Sequence, residues 1–143
     1  MPLSPLLLLL AHAAMAESPS PVPPPPWALS WADGNGNLAR AWQDEAAGPV
    51  KLSWLPVRPE TSSSGLYSGG EPRLETLEAA QVGELWTLAR AVQGAPRVEQ
   101  RAMGTGRLTV TLPAGEEQVL VAAGAASAAL DTWLAGWRAE GGR

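Results

Sequence analysis

Between Leu77 and Gln93 the apolar side chains Val82, Leu85, Trp86, Ala89 and Val92 recur at steps of three and four residues. That spacing predicts a helix with one apolar stripe. A short amphipathic helix is marginal alone in water, so the chain must supply an apolar surface for it to cover. Gly94 and Pro96 mark its stop. Glu75, Glu78 and Glu84 lie early and Arg90 late, the order that complements a helix dipole. A second stripe, Leu130, Trp133, Leu134 and Trp137, predicts a helix from Ser127, a residue suited to N-capping, to Ala139. Gly136 inside it costs about 1 kcal/mol relative to Ala.

The surface these helices need is supplied by segments that alternate with period two. Trp27, Leu29 and Trp31 alternate with Ala28 and Ser30, and Asp33-Gly34-Asn35-Gly36-Asn37 follows as a turn. Leu38 to Trp42 is the return arm, with Leu38, Arg40 and Trp42 on one side. Val50, Leu52 and Trp54 form a third strand that Pro56 ends near Val57. A short extended piece, Arg73 to Thr76, leads into the first helix. Val98 to Met103 and Arg107 to Leu112 read as strands joined through Gly104-Thr105-Gly106, and Pro113 to Glu116 turn the chain into Gln118 to Ala122. Strands joined by tight turns imply an antiparallel sheet, and two singly amphipathic helices need one apolar face. The prediction is an α+β two-layer sandwich, an antiparallel sheet of about five or six strands with two helices packed on one face. Residues 27–143 form its single domain.

Phe and Ile are absent, so Leu, Val and the seven Trp must fill the core. Trp54, Trp86, Trp133 and Trp137 fall on core stripes. Trp27, Trp31 and Trp42 either pack as well or form an exposed patch suited to stacking on a sugar.

Ahead of the domain, residues 3–10 read LSPLLLLL and run into AHAAMA. This apolar run is shorter than the ~20 residues that span a bilayer. Ala14 and Ala16 stand in the A-x-A arrangement of an export signal. Residues 1–16 are read as a signal peptide cleaved after Ala16, leaving a secreted or periplasmic chain with no membrane insertion. Residues 17–26, ESPSPVPPPP, hold six prolines and predict a stiff polyproline spacer rather than sheet or helix.

Cleavage would remove His12, the only histidine, and the chain has no cysteine. The mature chain then lacks the parts of a Ser-His-Asp triad, a Cys-His pair or a histidine- or thiolate-ligated metal site. The expected domain is therefore not an enzyme and carries no cofactor. Fourteen acidic against ten basic residues, the latter scattered along the chain, argue against a nucleic-acid partner. Asp33, Asn35, Asn37 and Asp44 sit at positions one, three, five and twelve of a calcium-loop pattern, but Leu38 stands where that loop needs Gly. A plain hairpin turn is the reading. Glu116-Glu117 beside a turn reads as solvated charge rather than a catalytic pair.

The remaining feature is residues 58–72, RPETSSSGLYSGGEP, which contain the only Tyr. Loops of about fifteen residues are uncommon in compact domains unless they bind something or are disordered. In the stretch 61–71, Ser64, Gly65, Leu66, Tyr67, Ser68, Gly69 and Gly70 are the candidate partner-binding residues. Leu66 and Tyr67 stand alone among small residues and would either present two apolar side chains, with the glycines allowing close backbone approach, or belong to a flexible connection whose Tyr folds back onto the domain. The partner would be an extracytoplasmic protein.

The order of N-terminal strand, Ser68-Gly69-Gly70 loop, helix, strand pair and terminal helix, over about Val50 to Ala139, resembles emfourin-type inhibitors of thermolysin-like metalloproteases. The resemblance implies that such a loop can occupy a protease cleft, which makes a secreted protease inhibitor one alternative. A carbohydrate or cell-envelope binding module using surface Trp is the other.

Overall fold

The computed structural model describes residues 20–141. The assigned export signal, 1–16, and the first residues of the Pro-rich spacer lie outside them. Along the chain come β1 (Trp27–Ala32), β2 (Leu38–Gln43), β3 (Val50–Leu55), a single 3-10 turn (Pro59–Thr61), β4 (Arg73–Leu77), α1 (Ala79–Gln93), β5 (Gly106–Leu112), β6 (Gly115–Val121) and α2 (Ala125–Gly141). The six strands form one antiparallel sheet in the order β4-β3-β2-β1-β5-β6. Both helices lie on one face, giving the α+β two-layer sandwich expected from the sequence.

Strands β4 and β5 run in the same direction and lie on opposite flanks of the β1–β3 meander. Joining them requires a crossover over one face, the task helices perform. The fifteen residues of α1 reach about 22 Å, and the four strand spacings between β4 and β5 amount to about 19 Å. The length of α1 therefore matches the distance it carries the chain.

Alternation decides which side chains face the helices. Trp27, Leu29 and Trp31 of β1 are buried, and β2 places alanines opposite the latter two, Ala41 beside Leu29 and Ala39 beside Trp31. Small residues beside large ones let the two strands fill one layer. Leu52, Trp54, Leu108, Val110, Val119 and Val121 extend that layer, and Val82, Leu85, Trp86, Ala89, Val92, Leu130, Leu134 and Trp137 close it from above. Trp27 meets Trp86 edge to face, with ring centroids 5.1 Å apart at 84°, the arrangement aromatic quadrupoles favour. The indole N–H groups of Trp27, Trp86 and Trp137 are buried without an acceptor among the described residues.

The structure corrects several local expectations. Trp27 and Trp31 are both 3% exposed and form no surface patch; of that trio Trp42 alone keeps surface, with the Arg40 guanidinium 5.3 Å from its ring centroid. Val98 to Met103 is not a strand. Glu99, Gln100 and Arg101 give it no apolar face, and it meets the sheet only where Arg97 bridges Val121 and the Val98 amide donates to Leu120. It then closes into a turn in which the Thr105 amide donates to the Ala102 carbonyl and the Ala102 amide to Thr105 Oγ1. Leu77 ends β4 and α1 starts at Ala79, with the Glu78 amide donating to Gln81 Oε1 at 2.9 Å. Strand β6 begins at Gly115, earlier than expected. Ser127 lies inside α2 rather than before it: its hydroxyl accepts from the Gly124 amide at 3.0 Å and donates to the Gly124 carbonyl at 3.1 Å.

Val22, in the described part of the Pro-rich segment, packs against the core, so the last residues of the spacer are laid onto the domain. No helix among the described residues is long and apolar enough to cross a membrane.

Candidate functional site

The turn between β1 and β2 is the first wall of a groove at one end of the sheet. Asp33 is buried there and serves the turn with both oxygens. Oδ1 accepts from the amides of Asn35 and Asn37, each at 2.9 Å, and Oδ2 accepts from Asn37 Nδ2, also at 2.9 Å. Backbone bonds between Asp33 and Asn37 and between Gly36 and Asp33 close it, and Gly36 takes the positive φ of 90° that the sharp reversal needs. The hairpin reading of DGNGN holds.

Asn37 turns from this hairpin to the Ser/Gly loop. Its Nδ2 donates to the Tyr67 hydroxyl at 2.8 Å, and its Oδ1 accepts the Val57 amide at 2.8 Å. Gly69 is the second anchor. Its amide donates to the Val57 carbonyl, and its own carbonyl accepts from the Trp54 indole at 3.0 Å and from Arg138 at 3.3 Å. A Cβ at Gly69 would lie 1.8 Å from Asn37 Oδ1, so only glycine lets the loop come this close. The Arg138 guanidinium also lies 3.9 Å from the centroid of the Trp54 ring, a cation–π contact on a ring that is itself buried.

The candidate residues therefore divide. Gly69 is buried and fixed; Ser68 accepts the Gly70 amide through its hydroxyl, and Ser64 accepts that of Leu66 in the same way. Tyr67 is half-buried and folds back onto Asn37. Leu66 is 85% exposed at the tip, next to Gly65 with φ of 72°. Leu66 and Tyr67 do not project as a pair.

The opposite wall is α2, with residues 103–104 and 123–124 at its N-terminal end. The groove measures about 770 Å³, within the range that encloses ligands. Glycine and alanine make up much of its lining, and the ionised groups bordering it are Asp33, Asp131 and Arg138. Asp131 Oδ1 accepts the Trp31 indole N–H at 2.8 Å, while the carboxylate stays open to the groove. Burial beside the groove raises its pKa above the usual carboxylate value; the Trp31 bond opposes that, the charge of Asp33 adds to it, and Arg138 opposes it.

Sequence reading found residues 67–70 of this groove and missed Asp131, Arg138 and Asn37. Asp131 falls on the flank of the α2 stripe, where an acid reads as ordinary solvated surface. Only the diagonal reach of Trp31 across the sheet end makes it part of a site.

Comparison with protein-family models, curated proteins and solved structures finds no match to this chain.

Proposed function

We propose that this chain is an exported, non-catalytic domain that binds an extracytoplasmic protein through loop 61–71. The observation that carries the reading is Leu66, 85% exposed, on a loop whose return limb is tied at Gly69 to Trp54, Val57 and Arg138. An apolar tip held by a preformed loop loses little conformational freedom on binding. A protease cleft is the narrower form of the same reading, since a fixed loop with an exposed apolar side chain fits an extended cleft. The absence of His and Cys after removal of 1–16 supports a role through contact rather than proton transfer.

The test is affinity capture from the native extracellular fraction with wild-type, Leu66→Ala and loop-deleted bait, alongside inhibition titrations against a thermolysin-like metalloprotease. Leu66→Ala should lose the captured protein while its circular dichroism stays unchanged. Capture that persists in both variants overturns the loop as the recognition element. Mass spectrometry of the natural product should give an N-terminus at Glu17.

A further inference from the structure

We infer that the groove between the β1–β2 turn, residues 67–70 and α2 receives a lysine or arginine side chain from an extended segment of a polypeptide partner, with the Asp131 carboxylate as its counter-charge. This deepens the proposal above: the loop docks the partner, and the groove beside it reads one basic residue of the docked segment.

Charge is the first argument. Two carboxylates and one guanidinium border the groove, leaving one negative charge uncompensated. Arg138 is already engaged with the Gly69 carbonyl and the Trp54 ring. Both oxygens of Asp33 are taken by the turn. Among the described residues Asp131 uses only Oδ1, on Trp31, so its second oxygen is the ionic acceptor left for a visitor. A carboxylate with a spare oxygen in a partly enclosed groove attracts a cation more strongly than one in open water.

Shape is the second. A groove of about 770 Å³ has more room than a bare ammonium ion fills, and Gly70 and Gly104, where an added Cβ would meet nothing closer than 3.9 Å, leave space for a ligand backbone to come close. Met103, fully exposed at the rim, offers a flexible apolar contact for the methylene stem of a long basic side chain. An anion would meet Asp131 unscreened. A divalent metal ion needs several oxygen ligands, and no group of three or more His, Cys, Asp or Glu converges among the described residues.

The probes are blocked tripeptides, acetyl-Gly-X-Gly-amide with X as arginine, lysine, norleucine or glutamate. They are titrated into the full domain while the Trp31 indole N–H is followed by NMR. For a probe of this size that binds with a Kd of about 1 mM, titration to about 10 mM approaches saturation. Arginine and lysine peptides should shift the Trp31 signal saturably, with norleucine and glutamate without effect. Asp131→Asn keeps an acceptor for Trp31 and should weaken the arginine peptide at least tenfold. Binding should also fall with acid as Asp131 takes up its proton; Asp33 and Arg138 are the charged groups that face it.

An equal response to norleucine, no response to either basic peptide, or unchanged affinity in Asp131→Asn overturns the inference. Leu66→Ala should leave tripeptide binding intact, since the probe does not reach the loop tip. Loss of partner capture in Leu66→Ala with no tripeptide response would uphold the loop and remove the groove. The reverse pattern would remove the loop and uphold the groove.

Discussion

Gly106 lies against the indole of Trp31: a Cβ at position 106 would fall 2.1 Å from Trp31 Cη2, far inside the contact distance of two carbons. The same indole donates its N–H to Asp131. A glycine at the start of β5 thus sets where the groove's carboxylate stands.

Replacing Gly106 with Ala should destabilise the domain by about 2–3 kcal/mol, the cost of overpacking a filled core. Urea denaturation measures it. The Trp31 indole N–H should move toward its unbonded chemical shift in the same variant. A loss below about 0.5 kcal/mol would show that the ring rotates aside freely.

Gly69→Ala tests the latch of the loop. The added methyl would fall 1.8 Å from Asn37 Oδ1 and 3.0 Å from Pro56 Cβ, so Asn37 must let go of Val57 or the loop must lift. Hydrogen exchange at the Gly69 amide should speed up by more than tenfold, while amides in β1 and β2 keep their protection. Unchanged exchange at position 69 would mean that the loop is held by other contacts.

Ser127→Ala removes one hydroxyl that satisfies both the amide and the carbonyl of Gly124 at the start of α2. The expected cost is about 1 kcal/mol by denaturant unfolding. Ser127→Thr should recover most of it, because the hydroxyl is restored.

Asp131→Asn should stabilise the isolated domain at neutral pH. Burial holds the folded-state pKa of Asp131 above the ordinary carboxylate value of 3.8, so folding favours the protonated acid. The contribution of Asp131 is complete below about pH 3.8 and is lost as pH rises through the folded pKa. At pH 7 the ionised carboxylate is therefore a liability that the amide lacks. Because Asp131 keeps part of its surface in solvent, the gain stays within ~0.5 kcal/mol, a Tm rise of no more than about 3 °C. The difference should close below pH 4. A variant less stable than wild type at pH 7 would show that the Trp31 bond depends on the charge.

Periodicity carried most of the architecture. The stripe Val82 to Val92 and the alternations at Trp27, Val50 and Leu108 each mark an element whose burial follows its spacing. Val98 to Met103 misled because its apolar residues stand only at the two ends, around Glu99, Gln100 and Arg101, and strand formation there required a partner edge that only Arg97 and Val98 reach. The groove was half legible. Glycines at 65, 69 and 70 announced an unusual loop, but Asn37, Asp131 and Arg138 meet it from positions 30 to 70 residues away, and no local pattern encodes such convergence. Trp31 was ambiguous for the same reason: the space for its indole comes from the lack of a side chain at Gly106.

The two margins of the sheet end for different reasons. Strand β4 is short and carries Arg73 paired with Glu75. Strand β6 bears Glu116 and Glu117 over its first half, and near its end the Arg97–Val98 backbone bonds to it. Charge on one border, with charge and a crossing backbone on the other, leaves an incoming extended chain little to pair with. A domain built on leucine, valine and tryptophan strands thereby offers copies of itself two guarded margins rather than bare strand edges.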